Sequence, residues 1–399
     1  MADTNSTAPF AYEKVGSPMF PAIQFTALFD LALACIIAIR PPLVIRLGAG
    51  FLLLYAVIYA TTTYTVGDPT NDYAVGTVLG VFFLNALTLA CLSDPLKEIR
   101  YLDDNAPLTE KPLPQRIWYG LCLVVNYRLV GTTAEPSKVP NVPPPYKGMT
   151  RTRYVLMRLR ELLVCLIVID LMEAYTHTHP HVYQPGAATT HFPPGITGYL
   201  MYTLSVAAWL VIVFFSMKMS YTVATAAIVA LHLGTPDAWP DMFGSYTDAY
   251  TIGRVWGCAW HQQLRRHFIA GGRWVNHMLG VPRGTWLNAV IRINVAFALS
   301  GMVHSIGDLM LGNAHFGRSW PFFAVNGLAV TAESLVFSLA KRAGIKGGSR
   351  ALRWLGYVYV YLWFTYSGPL YQQWMFENQC SSKAVIPYSP TRHIIIPYL

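Results

Sequence analysis

The chain has 399 residues, of which 54% are hydrophobic and only 12% charged, about half the roughly 25% found in a soluble domain. This excludes a disordered chain, a coiled coil or a fibrous repeat protein, and argues against a water-soluble enzyme, whose surface needs more charge to stay wet. The 29 Lys and Arg against 20 Asp and Glu leave a net charge of +9, which the apolar background assigns to basic loops at a membrane surface rather than to nucleic acid.

Met1 to Met19 is polar and lacks the basic region and short apolar core of a cleavable signal peptide. A hydrocarbon core about 30 Å thick is crossed by roughly 20 apolar residues in a helix. Spans of that kind are expected near 20–39, 47–65, 74–92, 161–176, 197–216, 219–233, 286–311, 321–340 and 354–375. Segment 117–125 is too short to cross and is expected to lie in the interface or to re-enter. Only helices and closed barrels satisfy the backbone in lipid, and no barrel-type alternation is visible. The expected fold is all-α, a polytopic integral membrane bundle of about 8–9 transmembrane helices. With no internal repeat or low-complexity tract, 1–399 is expected to form one domain. The cysteines at 35, 91, 122, 165, 258 and 380 form no CxxC pair and read as packing residues.

Loop charge gives an orientation. Segment 93–160, segment 254–283 and loop 341–353 are rich in Lys and Arg, whereas 66–73 and 176–196 have none. The positive-inside rule places the basic loops in the cytosol and the other two in the lumen. The sequon Asn5-Ser6-Thr7 falls on the lumenal side. If 197–216 and 219–233 both cross, however, nothing returns 254–283 to the cytosol. One of the two is therefore expected to be tilted, broken or re-entrant. Irregular backbone at membrane depth is tolerated where it lines a cavity, so a site carried by an interfacial or re-entrant segment is expected in the motif-bearing region 235–312.

Within that region, Trp239 to Phe268 is the most informative stretch. Pro240 and Gly244 mark a turn, and a helical pattern begins near Thr251. In a continuous helix Arg254, His261 and Arg265 would share a face within about 40°, while Trp256, Trp260, Leu264 and Phe268 would follow in i, i+4 steps beside it. Such a helix suits an anionic ligand at the bilayer boundary. An interfacial helix whose arginines meet lipid phosphates has the same pattern. Further on, His304 stands alone among the histidines in the middle of a long apolar run, with Asp308 one turn away. A neutral imidazole at membrane depth can take a proton from a hydroxyl while a carboxylate fixes its tautomer; a packing hydrogen bond to a neighbouring helix is the competing reading.

Other candidates are weaker. His177, His179, His181 and His191 crowd one loop without acidic or thiol partners and read as solvated rather than metal-binding. Asp30 and Glu333 lie inside candidate spans and read as structural. Asp103-Asp104-Asn105 is half of an acidic prenyl-diphosphate motif and lacks the next acid. No GxGxxG, P-loop or GxSxG is present.

Two blocks carry a resemblance. The first is Pro240, Phe243-Gly244, Asp248-Ala249-Tyr250-Thr251-Ile252, Arg254, Trp256-Gly257 and Trp260-His261-Gln262; the second is Ser300-Gly301-Met302-Val303-His304 followed by Gly307-Asp308. Together they resemble the wax-synthase-like branch of the membrane-bound O-acyltransferases, closest to fungal acetyltransferases of terpenoid and meroterpenoid metabolites. Gly253, Cys258 and Ala259 depart from the basic or bulky residues of many relatives. The resemblance implies acyl transfer from acyl-CoA, preferably acetyl-CoA as co-substrate, to a hydrophobic alcohol, with no metal and no permanently bound cofactor. It implies catalytic roles for His304 as general base, for His261 beside the reacting carbonyl and for Asp308 in orienting the base. Arg254, Arg265, Arg266, Trp256, Trp260 and Gln262 are the expected acyl-CoA and acyl contacts. The expected location is the endoplasmic reticulum membrane, with the site open to the cytosol. A long-chain wax or sterol ester synthase stays open, as do a proton-coupled transporter using His304 and Asp308 and, last, an embedded terpene cyclase.

Overall fold

The computed structural model describes residues 14–102, 104, 107–136, 146, 148–179, 192–345, 348–380 and 384–395. The sequon, His181, His191, Asp103 and Asn105 lie outside the described residues. Among those described, the chain is helical, with only two isolated β-bridges, Met19 to Thr65 and Tyr101 to Thr132.

Thirteen helices follow in order: α1 Ala22–Ile39, α2 Leu43–Thr63, α3 Pro69–Ala86, α4 Pro95–Glu98, α5 Leu113–Val125, α6 Arg151–Thr178, α7 Ile196–Ala230, α8 Ile252–Arg254, α9 Arg265–Met278, α10 Trp286–Leu311, α11 Trp320–Arg342, α12 Arg350–Ser367 and α13 Pro369–Glu377. Local chemistry sets several starts. Asp68, Thr150, Thr285 and Ser349 each accept a backbone N–H from the first turn of the helix they precede, and Pro69 and Pro369 occupy first-turn positions where no N–H is needed.

Six stretches among the described residues are long and apolar enough to cross a membrane: Ala22–Ile39, Leu43–Thr63, Pro69–Leu92, Ile196–Ala230, Trp286–Leu311 and Asn313–Arg342. Large apolar side chains such as Leu28, Val44, Phe51, Leu204, Val336 and Leu355 are exposed on the outer faces, the pattern of a chain solvated by lipid. The protein is an integral membrane protein.

The expected spans 197–216 and 219–233 are one helix. Residues 216–220, Ser-Met-Lys-Met-Ser, interrupt the apolar run without a Gly or Pro to break the backbone, so α7 continues for 35 residues. This removes the topological conflict, because 234–253 and 254–283 then follow from the same end of one crossing. The expected span 354–375 is divided instead, since α12 ends at Ser367 and α13 starts at Pro369. Segment 117–125 belongs to α5, which packs against α1 so closely that a Cβ on Gly120 would lie 2.9 Å from the Ala34 carbonyl oxygen.

Helix α10 packs against α3, α9 and α11. Its contact with α3 is a seam of glycines. A Cβ on Gly76 would stand 2.8 Å from the Gly307 Cα, one on Gly80 would stand 2.6 Å from the Val303 carbonyl oxygen, and one on Gly307 would stand 2.9 Å from the Tyr73 carbonyl oxygen. With no hydrophobic drive between helices in lipid, small residues give association through close backbone approach. Helices α6 and α7 form a second pair, to which residues 384–395 are pinned by Glu173, accepting from the Val385 N–H at 2.5 Å, and by Asp170, accepting from the Thr391 hydroxyl at 2.6 Å.

Gly80→Ala is expected to destabilise detergent-solubilised protein by about 1–3 kcal/mol through overpacking, read as a fall in the unfolding midpoint. Gly48→Ala, where a Cβ meets nothing within 4 Å, should leave that midpoint in place. An unchanged midpoint for both would remove the seam from the stability of the bundle.

Candidate functional site

The stretch expected to form one amphipathic helix from Thr251 is broken. Helix α8 lasts three residues, a wide π turn occupies Val255–Ala259, and Trp260 is extended at ψ 158° before α9 begins at Arg265. The glycines at 253 and 257 weaken the helix, and side chains take over the groups it leaves open. The Gln262 amide donates to the carbonyls of Trp260 at 2.6 Å and Trp256 at 3.2 Å. Arg265 donates to the Gly257 carbonyl at 2.7 Å and to Gln262 Oε1 at 2.5 Å. At the other end Glu333 of α11, an acid read as structural, accepts the Ile252 N–H at 2.9 Å and the Gly253 N–H at 2.7 Å. Gly244 admits the turn, since a Cβ there would lie 2.0 Å from the Cys258 carbonyl oxygen.

The arginines therefore do not share a face. Arg254 pairs with Asp248 and lies over the Tyr250 ring, 4.5 Å from its centroid. Arg265 holds the broken turn. Arg266 is buried, bonded to Asn85 of α3, and with His267, 2.8 Å from the Thr88 hydroxyl, anchors α9 to α3 and the π turn that follows it.

The break turns Trp256, Trp260 and His261 into a cluster of rings. Trp256 contacts Trp260, Phe297, Phe322 and Phe364, and its indole N–H donates to Asn326 Oδ1 at 3.1 Å, which also receives the Trp363 indole at 3.0 Å. His261 lies beside Trp260 and Phe243, with centroids 5.5 and 6.1 Å away. It sits between helices, outside the spanning segments. Its Nδ1 is buried without a hydrogen-bond partner, and burial pushes the imidazole down to about 4, so the ring is neutral at cytosolic pH.

His304 comes from the middle of α10 and stacks on Phe323, 4.6 Å between centroids. Phe323 contacts Phe322, which contacts both Trp256 and Tyr371, so a continuous set of rings runs from one histidine to the other. Both rings are half-buried.

Asp308 does not bond to His304. Its carboxylate accepts the Ser319 hydroxyl at 2.6 Å and the Ser319 N–H at 2.9 Å. The Tyr73 hydroxyl stands 3.3 Å from the Ser319 hydroxyl and 2.7 Å from His304 Nδ1, and it also meets the Tyr371 hydroxyl, itself 3.2 Å from Nδ1. Tyr73, Ser319 and Tyr371 were not among the residues expected from the sequence. They come from α3, from the start of α11 and from α13, and no local motif joins them. Among the described residues no cluster of three His, Cys, Asp or Glu is placed to hold a metal.

Residues 239–325, which hold both histidines, Asp308 and Ser319, match the membrane bound O-acyl transferase family, as the two sequence blocks suggested. Over a longer reach the chain is similar to acetyltransferase ple2 of Rhodocybe pseudopiperita, 28% identical over 88% of this chain and 90% of that protein. It is likewise similar to acetyltransferase eriL of Hericium erinaceus, at 27% over 84% and 85%, and to O-Mevalon transferase macI of Penicillium terrestre, at 25% over 76% and 73%. No solved structure matches the chain.

Glu333→Ala removes two charge-assisted bonds, each worth about 1.5–3 kcal/mol. Hydrogen exchange in a peptide covering 250–262 is expected to speed up at least about tenfold, with α1 and α2 unaffected. Unaltered exchange would show that Glu333 does not hold the turn.

Proposed function

We propose that the protein is an acyl-CoA-dependent O-acyltransferase that moves an acetyl group to a hydroxyl of a hydrophobic terpenoid or meroterpenoid. The observation that carries this reading is His304, bonded at Nδ1 to Tyr73 and joined to His261 by a continuous set of ring contacts. The named acetyltransferase relatives and the family segment support the reaction class.

Counting protons supports the base. Ser319 spends its one hydroxyl proton on Asp308, so at Tyr73 it accepts. Tyr73 then spends its proton on Ser319, accepts from Tyr371, and at His304 can only accept. With Asp308 ionised, this order uses every contact, the Nδ1–H being shared between the Tyr73 and Tyr371 oxygens. It puts the imidazole proton on Nδ1 and leaves the Nε2 lone pair free. Nε2 takes the proton of the acceptor hydroxyl and the oxygen attacks the thioester carbonyl. A C–O bond forms, the C–S bond breaks, and the proton held on His304 passes to the departing sulfur. His261, a neutral and half-buried ring, donates from Nε2 to the developing oxyanion in a site that excludes water. Trp256 and Trp260 line the acyl path, and Gln262 and Arg265 hold them there. Asp308 acts through Ser319 and Tyr73, as a positioning residue.

With α6 and α12 crossing alongside the six apolar stretches, the bundle has eight passes. The basic segments then face the cytosol, where acyl-CoA resides, and the alcohol enters from the bilayer. The endoplasmic reticulum is the proposed membrane.

Microsomes containing the protein, radiolabelled acetyl-CoA and a panel of terpenoid alcohols should yield ester. His304→Ala is expected to lower the rate by about 10²–10⁴-fold with normal membrane insertion, and wild-type turnover by this variant would end the assignment. Tyr73→Phe removes the acceptor for Nδ1–H and is expected to reduce kcat on the order of 10–100-fold, while KM for donor and alcohol moves less than about twofold. Long-chain acyl-CoA in the same panel tests the wax or sterol ester alternative.

A further inference from the structure

Arg254, Arg265 and Arg266 are engaged with Asp248, the broken turn and Asn85, which turns attention to cations in other parts of the bundle. A pocket of about 160 Å³ opens between α6, α7 and the segment before the broken turn, lined by Arg158, Lys218, Thr222, Asp241, Phe243 and Tyr246, among others. That is room for about five waters or one phosphate group. Its charges are unequal. Arg158, only 1% exposed, is met by Glu161 at 2.7 Å and by Asp241 at 3.0 Å, whereas Lys218 has no hydrogen bond or ion pair among the described residues. Arg128 adds a further cation behind Tyr221, to whose hydroxyl it donates at 2.7 Å.

Two further groups await a partner. The Thr222 hydroxyl and Arg158 Nε are both buried and unbonded. Lys218 lies on α7 and lines the pocket together with Arg158 and Asp241. The pocket is also one ring away from the site, because Phe243 forms its wall and packs on Trp260 at 5.5 Å and on His261 at 6.1 Å.

We propose that Lys218, with Thr222 and Arg158, receives a phosphate of the acyl-coenzyme A donor, whose arm then passes Phe243 to reach His261. The assignment rests on the acyl-CoA reading above. A lipid headgroup carries the same phosphate chemistry, so the test separates the two sources.

Full-length protein is placed in neutral phosphatidylcholine nanodiscs and titrated with coenzyme A and with phosphate-free pantetheine. Lys218→Gln is expected to weaken coenzyme A binding at least about tenfold, to leave pantetheine binding unchanged and to keep the unfolding midpoint. Lys218→Arg, which retains the charge, should return affinity to within about threefold of wild type. Equal loss of both ligands, a fallen midpoint in both variants, or unchanged coenzyme A affinity would overturn the proposal. So would loss of co-purifying phosphatidic acid from Lys218→Gln with coenzyme A affinity intact, which would give the pocket to a lipid. His304→Ala keeps the two ideas apart, since it should abolish transfer while binding coenzyme A normally. Transfer by that variant, with affinity still dependent on Lys218, would refute the base and spare the pocket.

Discussion

The close approach of α3 and α10 is the constraint on which the site depends. Tyr73 reaches His304 Nδ1 at 2.7 Å because Gly76, Gly80 and Gly307 let two backbones touch where any side chain would hold them apart. In lipid there is no solvent penalty to press helices together, so this contact rests on packing alone. One helix spacing away, Tyr73 would lose His304 and Ser319 together, and the hydrogen-bond chain from Asp308 to the imidazole would be cut. The seam therefore fixes a proton arrangement as well as a helix pair.

A second constraint acts on the facing histidine. A helix broken among packed apolar rings exposes carbonyls and amides that those rings cannot satisfy. Gln262 and Arg265 cover the carbonyls and Glu333 covers the amides, so the irregular backbone is closed by side chains from its own segment and from α11. His261 is delivered into the ring-lined space by this break, because a continuous helix would have kept it in line with Arg254 and Arg265.

Much of this was legible in the sequence and part was not, for physical reasons. Apolar runs, the basic loops and the two blocks around His261 and His304 are local features, readable along the chain. Gly76 and Gly80 form a GxxxG run, the signature of a helix contact face, yet the run does not name its partner. The helix expected from Thr251 failed because periodicity was extended across Gly253 and Gly257, residues that punctuate helices. The split expected in α7 failed for the opposite reason, since Lys218 interrupts hydropathy without interrupting backbone hydrogen bonding. Tyr73, Ser319 and Tyr371 could not be found at all, as they meet only in three dimensions from three separate helix ends. Helical spacing set Asp308 one turn from His304, but the hydrogen bonds between them run through the Ser319 and Tyr73 hydroxyls.

Helix α7 has 35 residues and is about 52 Å long, well beyond an apolar slab of about 30 Å. It must lean or protrude to fit, and the choice sets how deep Lys218 and Thr222 sit below the water. Thicker membranes draw such a helix upright and thinner ones lay it over. The thickness of the surrounding lipid thus becomes a coordinate of the molecule, setting the tilt of α7 and of the pocket beside it without any messenger.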